Sequence, residues 1–256
     1  MTKFETLEIS VDGPVGRLWL NRPDRLNAMS ITVLEELKSA AQWFDQQKEL
    51  RAVIVGGHGR SFCAGADISG FPAPDDPDFR ERAGIGREMA AAIEGMRAVT
   101  IARIQGWCIG GGLVLVSACD LRIAEKAARF SIPEVDLGIP LGWGGLERLV
   151  RDIGPTMTKE LIITCREFDA KEARKMGLLN RTVDSDDLEE VVADLADSIA
   201  AKARLPVIAT KREVNAVAAA MVGLDRNQSD ADSLYAAFRD PECQAVREAY
   251  VKARGG

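Results

Sequence analysis

Two glycine-rich segments, each placed after a predicted strand, could bring backbone N–H groups close to a ligand. The first spans residues 61–67, and the second, 106–112, leads into a small apolar helix. Glycine allows a backbone to approach a ligand closely, and a helix N-terminus presents unpaired N–H groups with partial positive charge. One N–H group from each segment would stabilise a developing oxyanion, a contribution of about 3–4 kcal/mol for each donor. Two tight turns without a ligand are the alternative.

A third segment, 129–140, carries a glutamate suited to proton transfer. Glu134 is flanked by the apolar residues Ile132, Pro133 and Val135. Loss of water around a carboxylate raises its pKa toward the range in which it exchanges protons at neutral pH. A glutamate that pairs with an arginine or caps a turn is the alternative here.

Composition excludes several classes of protein. The 256 residues are 46% hydrophobic and 28% charged, as in a soluble globular protein. Lys and Arg total 33 against 39 Asp and Glu, and this net charge of −6 argues against nucleic-acid binding. The longest apolar stretch, 109–119, is too short to span a bilayer, and the N-terminus lacks an apolar signal core. We therefore expect a cytoplasmic protein without membrane partners.

Metal and nucleotide sites find no support in the motifs. The five cysteines form no C-x-x-C pair, and His58 is the only histidine, so the usual Cys/His zinc sites cannot be assembled. Neither glycine-rich segment has the G-x-G-x-x-G pattern of dinucleotide sites or the GK[ST] ending of phosphate-binding loops. We expect no metal.

Local patterns predict alternating strands and helices, followed by helices alone. The predicted elements are a β-hairpin over 7–20, a helix capped by Ser30, strands at 51–56, 99–104, 121–124, 129–132 and 178–183, a helix over 79–97, a helix capped by Asp169 with Glu172, and helices at 186–203, 206–222 and 225–253, the last broken at Pro241. Segment 69–78, with three prolines and three acids, is either a surface loop or a lid beside the site.

Several motifs together resemble one family. The sequences SFCAGADI (61–68), QGWCIGGGLVLVSACDLRIA (105–124) and FSIPEVDLGIP (130–140) are similar to those of the crotonase superfamily, the enoyl-CoA hydratase/isomerase family. The resemblance continues through NRPDRLNAMS (21–30) and FDAKEARKMGLLNRTV (168–183), in the same order along the chain.

The resemblance implies an α/β fold, a crotonase-like spiral of repeated ββα units with a C-terminal helical trimerisation region. Residues 1–185 would form the core with the site, and residues 186–256 the helical region for oligomerisation. It implies a homotrimer or a dimer of trimers, a coenzyme A thioester as substrate, and no metal or redox cofactor.

The same resemblance assigns roles to individual residues. The backbone N–H groups of Ala66 and Gly111 would form the oxyanion hole, with Glu134 as the acid/base. Residues expected to contact the substrate or its coenzyme A moiety are Arg25, Ala28, Ala64, Asp67, Ile68, Val114, Gly142 and Trp143. Among these, Ala64 and Ile68 would line the adenine end.

Position 114 departs from the pattern of the family's hydratases, which resemble one another in using two glutamates around one water. Val114 stands where the first glutamate is expected, three residues after Gly111 and on the same helix face. Valine cannot transfer protons. Gly142 likewise replaces the acid found eight residues after the Glu134 position in dienoyl-CoA isomerases. What remains matches Δ3,Δ2-enoyl-CoA isomerases, which work with one glutamate, although hydration through Glu134 stays open.

Other functions compatible with the resemblance are an aromatic acyl-CoA hydratase-lyase and an acyl-CoA binding protein with weak catalysis. Trp143 would narrow the acyl pocket or lie against an aromatic acyl group, or else belong to the core. Tyr250 lies near the end of the chain, where relatives place a subunit interface, so we expect an interface role for it.

Overall fold

The computed structural model describes residues 4–70, 75–222 and 230–253, which form a mixed α/β fold with two sheets. The strands are β1 (Leu7–Asp12), β2 (Val15–Leu20), β3 (Ala52–Gly57), β4 (Val99–Ile104), β5 (Trp107–Ile109), β6 (Leu121–Glu125), β7 (Arg129–Ser131), β8 (Phe168–Asp169) and β9 (Arg181–Val183). The helices are α1 (Ile31–Gln46), α2 (Phe79–Gly95), α3 (Gly111–Ala118), α4 (Gly145–Thr164), α5 (Ala170–Lys175), α6 (Leu188–Ala200), α7 (Arg204–Val222), α8 (Asp230–Arg239) and α9 (Pro241–Ala253). Within the described residues, no helix is long and apolar enough to cross a membrane.

The larger sheet has six strands in the order β1-β2-β3-β4-β6-β9. Strands β1 and β2 form the predicted antiparallel hairpin, and all other neighbours in this sheet pair in parallel. Parallel neighbours need a crossover connection, which α1, α2 and α3 supply after β2, β3 and β4. The segments that leave β3 and β4 therefore start at the same edge of the sheet, where ligand sites of parallel sheets form.

Both faces of this sheet are covered, as the burial of strand β3 shows. All six of its residues are buried. Val53 and Val55 belong to the core that includes α1 and α2, whereas Ala52 and Ile54 belong to the cluster that includes α6. Side chains alternate across a strand, so a buried strand needs apolar cover on both sides. Helix α6 supplies it from beyond residue 185, and a domain boundary at that residue stays a prediction.

Local signals locate the starts of three helices, α1, α5 and α9. The Ser30 hydroxyl accepts a hydrogen bond from the Val33 N–H at 3.4 Å, and the Asp169 carboxylate accepts one from the Glu172 N–H at 2.8 Å. Pro241 interrupts the helical tail as predicted and becomes the first residue of α9, where its missing N–H is not needed. Residues 71–74 of the predicted lid and 225–229 of the last predicted helix lie outside the described residues.

The smaller sheet, β5-β7-β8, corrects two expectations. The second glycine-rich segment contains strand β5, which pairs in parallel with β7, where we expected only a turn before the helix. Strand β8 has two residues and pairs antiparallel with β7. The predicted strand 178–183 is shorter and spans only β9. Such short strands depend on partners distant in sequence, which a local pattern does not reveal.

Helices α8 and α9 fold back on the loop that contains Glu134. Leu234 and Phe238 of α8 form an apolar cluster with Phe79 and with Leu137 of that loop. Gly138 turns the loop with φ +66°, and a Cβ atom there would lie 2.5 Å from the Cys243 carbonyl oxygen in α9. The C-terminal helices therefore close one side of the region that the motifs identify.

Candidate active site

Backbone hydrogen bonds bring the three predicted segments side by side. Residues Cys63 and Cys108 form a parallel bridge, with the Cys63 N–H on the Trp107 carbonyl at 3.0 Å and the Ile109 N–H on the Cys63 carbonyl at 2.9 Å. The Gly110 N–H donates to the Ser131 carbonyl at 3.0 Å, three residues before Glu134. The two glycine-rich segments and the Glu134 segment thus form one continuous surface.

This surface lines a mostly apolar cavity of about 300 Å³. Eight of the predicted site residues lie on its wall: Ala64, Ala66, Ile68, Gly111, Val114, Glu134, Gly142 and Trp143. Because these residues come from four separate parts of the chain, the cavity assembles only when the sheet and its loops are in place.

The other predicted residues, Arg25, Ala28 and Asp67, do not line this cavity. Asp67 pairs with Arg22 at 3.1 Å, and the Ala28 carbonyl accepts a hydrogen bond from the same guanidinium at 2.5 Å. Arg25 is exposed in the turn before Ala28. Met29 runs alongside Ala66 in a parallel bridge, so these residues stand next to the first glycine-rich segment. A role in holding coenzyme A stays a prediction for them.

At the cavity wall, the backbone N–H groups of Ala66 and Gly111 have no acceptor within the described residues. The Gly65 carbonyl and the Asp67 N–H both bond to Met29, while the Ala66 N–H between them has no partner among the residues that the structure describes. Gly111 is the first residue of α3, where an N–H has no acceptor within the helix. Both groups are therefore available for a ligand.

Glu134 combines burial with an unpaired carboxylate oxygen. Its Oε2 atom is buried and lacks a hydrogen-bond partner within the described residues. Burial raises the pKa of Glu134 to about 7, because a charged carboxylate loses hydration there. A Cβ atom at Gly110, whose φ is +48°, would lie 2.5 Å from Glu134 Oε1. Glycine at position 110 thus allows the carboxylate to sit directly against the start of α3.

Val114 leaves Glu134 as the only carboxylate among the described residues that line the cavity. Val114 is 1% exposed, and its Cγ2 atom lies 2.6 Å from where a Cβ atom of Gly145 would stand. The cavity wall therefore offers one group that can transfer a proton near neutral pH, together with the weakly acidic hydroxyl of Tyr250.

The cavity is also lined by three residues from the C-terminal helices that were not predicted as site residues: Leu234, Tyr250 and Val251. They come from α8 and α9, more than 80 residues after the last recognised cavity motif. The interface role that we expected for Tyr250 stays a prediction, and the structure also places this residue at the cavity of its own chain. The spacing of apolar residues in these helices predicts that one face packs against the protein, but it does not predict which part of the protein that face contacts.

His58 lies outside the cavity, and the residue types that bind metals do not cluster in the described part of the chain. The His58 ring stands 3.0 Å from the Glu8 carboxylate, outside the cavity. In the described part of the chain, no group of three or more His, Cys, Asp or Glu residues could hold a metal ion. The expectation that the protein needs no cofactor stays a prediction.

Comparison with known proteins decides the family. The sequence profile described as enoyl-CoA hydratase/isomerase matches residues 11–255. The chain belongs to the enoyl-CoA hydratase/isomerase family. A crotonyl-CoA hydratase from Syntrophomonas wolfei is 33% identical over 253 residues, which cover 98% of this chain and 96% of the relative. A peroxisomal Delta(3,5)-Delta(2,4)-dienoyl-CoA isomerase from Arabidopsis thaliana is 34% identical over 227 residues, which cover 82% of each chain.

A solved structure shares the fold of this enoyl-CoA hydratase/isomerase family member. The enoyl-CoA hydratase/isomerase from Xanthobacter autotrophicus Py2 has a TM-score of 0.88 and 27% sequence identity, covering 99% of this chain and 95% of that one. The membership that the motifs indicated is confirmed. The spiral of ββα units and the trimerisation role of the C-terminal helices stay predictions.

Proposed function

We propose that this protein acts on an unsaturated acyl-CoA thioester through an enolate, with Glu134 as its single acid/base. One observation carries the proposal. The only carboxylate at the cavity wall among the described residues has a buried, unpaired oxygen, a pKa raised to about 7, and a position against Gly110, next to the first N–H of α3. A carboxylate whose pKa lies near neutral pH both accepts and returns a proton readily.

The reaction that needs no second carboxylate is isomerisation of a 3-enoyl-CoA to a 2-enoyl-CoA. Glu134 takes a proton from C2, the C2–H electron pair forms the enolate, and the negative charge moves to the thioester oxygen. The N–H groups of Ala66 and Gly111 would hold that oxygen, assisted by the partial positive charge at the start of α3. Glu134 then returns the proton to C4, and the double bond moves to C2–C3.

Hydration is the second candidate, favoured by the 33% identity to a crotonyl-CoA hydratase over almost the whole chain. With valine instead of a carboxylate at position 114, Glu134 would have to activate the water and protonate C2 by itself. General acid–base groups contribute about 10²–10⁴-fold to rates, so loss of one carboxylate leaves hydration slow. We therefore place isomerisation first.

The remaining parts of the proposal concern binding and assembly. Ala64 and Ile68 would contact the adenine end of coenzyme A, with Arg25, Ala28 and Asp67 nearby. The acidic net charge does not oppose this, since local arginines can hold phosphates. A homotrimer or dimer of trimers in the cytoplasm is the expected form.

The Glu134→Gln variant tests the function directly. We expect isomerisation of a trans-3-enoyl-CoA to fall by about 10²–10⁴-fold, because the amide cannot accept the proton. Binding of the acyl-CoA, measured by calorimetry, should persist. Glu35→Gln, an exposed position on α1, is the matched control and should keep wild-type turnover. Unchanged turnover in Glu134→Gln would contradict the proposal.

A further inference from the structure

Trp143 separates the main cavity from a second, much smaller one. The small cavity, of about 20 Å³, is lined mostly by apolar residues that include Met29, Leu34 and Ala83, together with the charged residues Asp67 and Arg82. Trp143 and Leu234 line both cavities. The indole is therefore part of the wall between the main cavity and the small cavity.

Glycines on two helices make room for this indole. A Cβ atom at Gly86 of α2 would overlap the five-membered ring of Trp143, and one at Gly111 of α3 would overlap its six-membered ring. Gly84, two residues earlier and on roughly the opposite face of the same helix, has open space around it. The absence of a side chain at Gly86 thus lets the indole lie between α2 and α3, whereas a side chain at position 84 would meet nothing.

The backbone at Trp143 and Gly144 forms a turn that the surrounding residues stabilise. Its φ of +60° lies in the left-handed region, which bulky residues seldom adopt. The next residue is held from both sides, since the Gly144 N–H donates to Asp230 at 2.9 Å and its carbonyl accepts from Arg148 at 2.9 Å. Such a conformation persists where the surrounding structure enforces it. The backbone turn at Trp143 and Gly144 and the two glycines beneath the ring therefore place the indole in the cavity wall.

We propose that Trp143, seated on Gly86, sets the acyl-chain length that the site accepts. This inference rests on the proposed function for the occupant of the cavity. Short acyl groups end at the indole, whereas longer ones would need the space toward Met29, Leu34 and Ala83 that the indole closes. The substrate class is accordingly a short-chain acyl-CoA.

Binding of saturated acyl-CoAs tests the inference without requiring catalysis. We would measure the affinities of butanoyl-, octanoyl- and dodecanoyl-CoA by calorimetry for the wild type and for Trp143→Gly. Glycine adopts the left-handed backbone without strain and removes the ring. Each methylene that becomes buried improves affinity about fourfold, so the ratio of dodecanoyl to butanoyl affinity should rise at least about tenfold in the variant. Trp143→Phe, which keeps a ring in place, should stay close to the wild type.

A second pair of variants keeps the test valid if loss of the indole weakens the fold. Gly86→Ala must displace the indole and should change the same affinity ratio at least about threefold, whereas Gly84→Ala should leave it unchanged. An unchanged ratio in both Trp143→Gly and Gly86→Ala would overturn the inference alone. Failure of the wild type to bind any acyl-CoA would overturn the proposed function and the inference with it.

Discussion

The burial of Glu134 favours proton transfer near neutral pH but lowers the stability of the folded protein. In the unfolded chain its pKa returns to the model-peptide value near 4.5, whereas burial raises it to about 7 in the folded protein. Between these two values the folded state binds more protons than the unfolded state. Stability therefore falls as pH rises through this range and stays low above pH 7.

The stability of Glu134→Gln should reveal this cost. Glutamine resembles the protonated carboxyl, so at pH 8 we expect the variant to exceed the wild type by about 1–3 kcal/mol in the free energy of unfolding. The difference should shrink toward zero near pH 4.5. Urea unfolding at the two pH values measures it. A wild type that is equally stable or more stable at pH 8 would contradict the burial of an ionised carboxylate.

The pH dependence of turnover should report the same group. As a base, Glu134 works only when deprotonated, so kcat/KM for isomerisation should rise with pH through a pKa of about 7 and then level off. Initial rates with a trans-3-enoyl-CoA between pH 5 and pH 9 provide the profile. A midpoint near 4.5, or a rate that falls with rising pH, would exclude this assignment.

Val114 offers the complementary test of acid–base chemistry. Val114→Glu restores a second carboxylate to the cavity wall, and we expect hydration of crotonyl-CoA to increase by at least about tenfold, within the usual range for a general acid–base group. Val114→Gln has the same size but cannot transfer a proton in this way, so it is the matched control. Equal hydration rates in the two folded variants would mean that position 114 does not reach the reacting carbons.

Helix α2, against which the Trp143 indole packs, and helix α4, which follows Trp143 along the chain, are joined by a largely buried ion network. Glu94 of α2 accepts from Arg148 at 2.6 Å and also pairs with Arg151, both on α4. Arg148 is 4% exposed at its side chain and in turn donates to Gly144. A buried charge without its partner is costly, so this network ties the Trp143 turn to the body of the protein.

Removal of Glu94 should therefore cost far more than removal of a surface glutamate on the same helix. We expect Glu94→Ala to lose about 3–5 kcal/mol of stability, because Arg148 remains buried and unpaired. Glu88 pairs with Lys38 at 2.5 Å in an exposed position, so Glu88→Ala should lose less than about 1 kcal/mol. Chemical denaturation of both variants compares them, and equal losses would show that the network adds nothing beyond a surface pair.

Elements with local signals were predictable, and those without them were not. The caps at Ser30 and Asp169 and the apolar face of α1 follow from neighbouring residues, and the structure confirms them. Strands β5 and β8 were not predicted, because their pairing with β7 depends on the tertiary fold and their neighbouring residues give no local signal of it. The same reason explains why α8 and α9 were predicted as helices but not as walls of the cavity.

At the scale of the whole molecule, helix α7 is only partly covered by the rest of the described chain. None of the 19 residues of α7, all described, is buried, and Leu205, Val214, Val217 and Met221 are 59–80% exposed. A cavity of about 840 Å³ lies between this helix and the body of the protein. Exposed apolar surface of this kind marks interaction sites, in agreement with the proposed trimer or dimer of trimers.

Solution mass tests that assembly. We expect three or six times the chain mass of 27.7 kDa by light scattering. The double variant Val214→Glu with Val217→Glu should reduce the mass, because charge placed on the apolar face of α7 opposes its burial. Ser198→Glu on the exposed face of α6 should not. A monomeric wild type, or a variant of unchanged mass, would contradict the assembly.

At this scale the sequence shows the site only in part. Glu134, Ala66 and Gly111 lie in motifs, and the structure brings them to one cavity. Trp143 was also predicted as a site residue, yet its position in the cavity wall depends on Gly86, which lies 57 positions earlier on helix α2. Contacts of that kind arise from tertiary packing, so composition and spacing do not predict them.

The central claim is that Glu134 moves a proton on an enolate-forming thioester. The most direct measurement is mass spectrometry of trans-3-hexenoyl-CoA incubated with the protein in deuterated water. We predict conversion to the 2-enoyl isomer with solvent deuterium in part of the product, and neither change with Glu134→Gln. Wild-type protein that binds the substrate but yields neither isomer nor deuterium would contradict the claim.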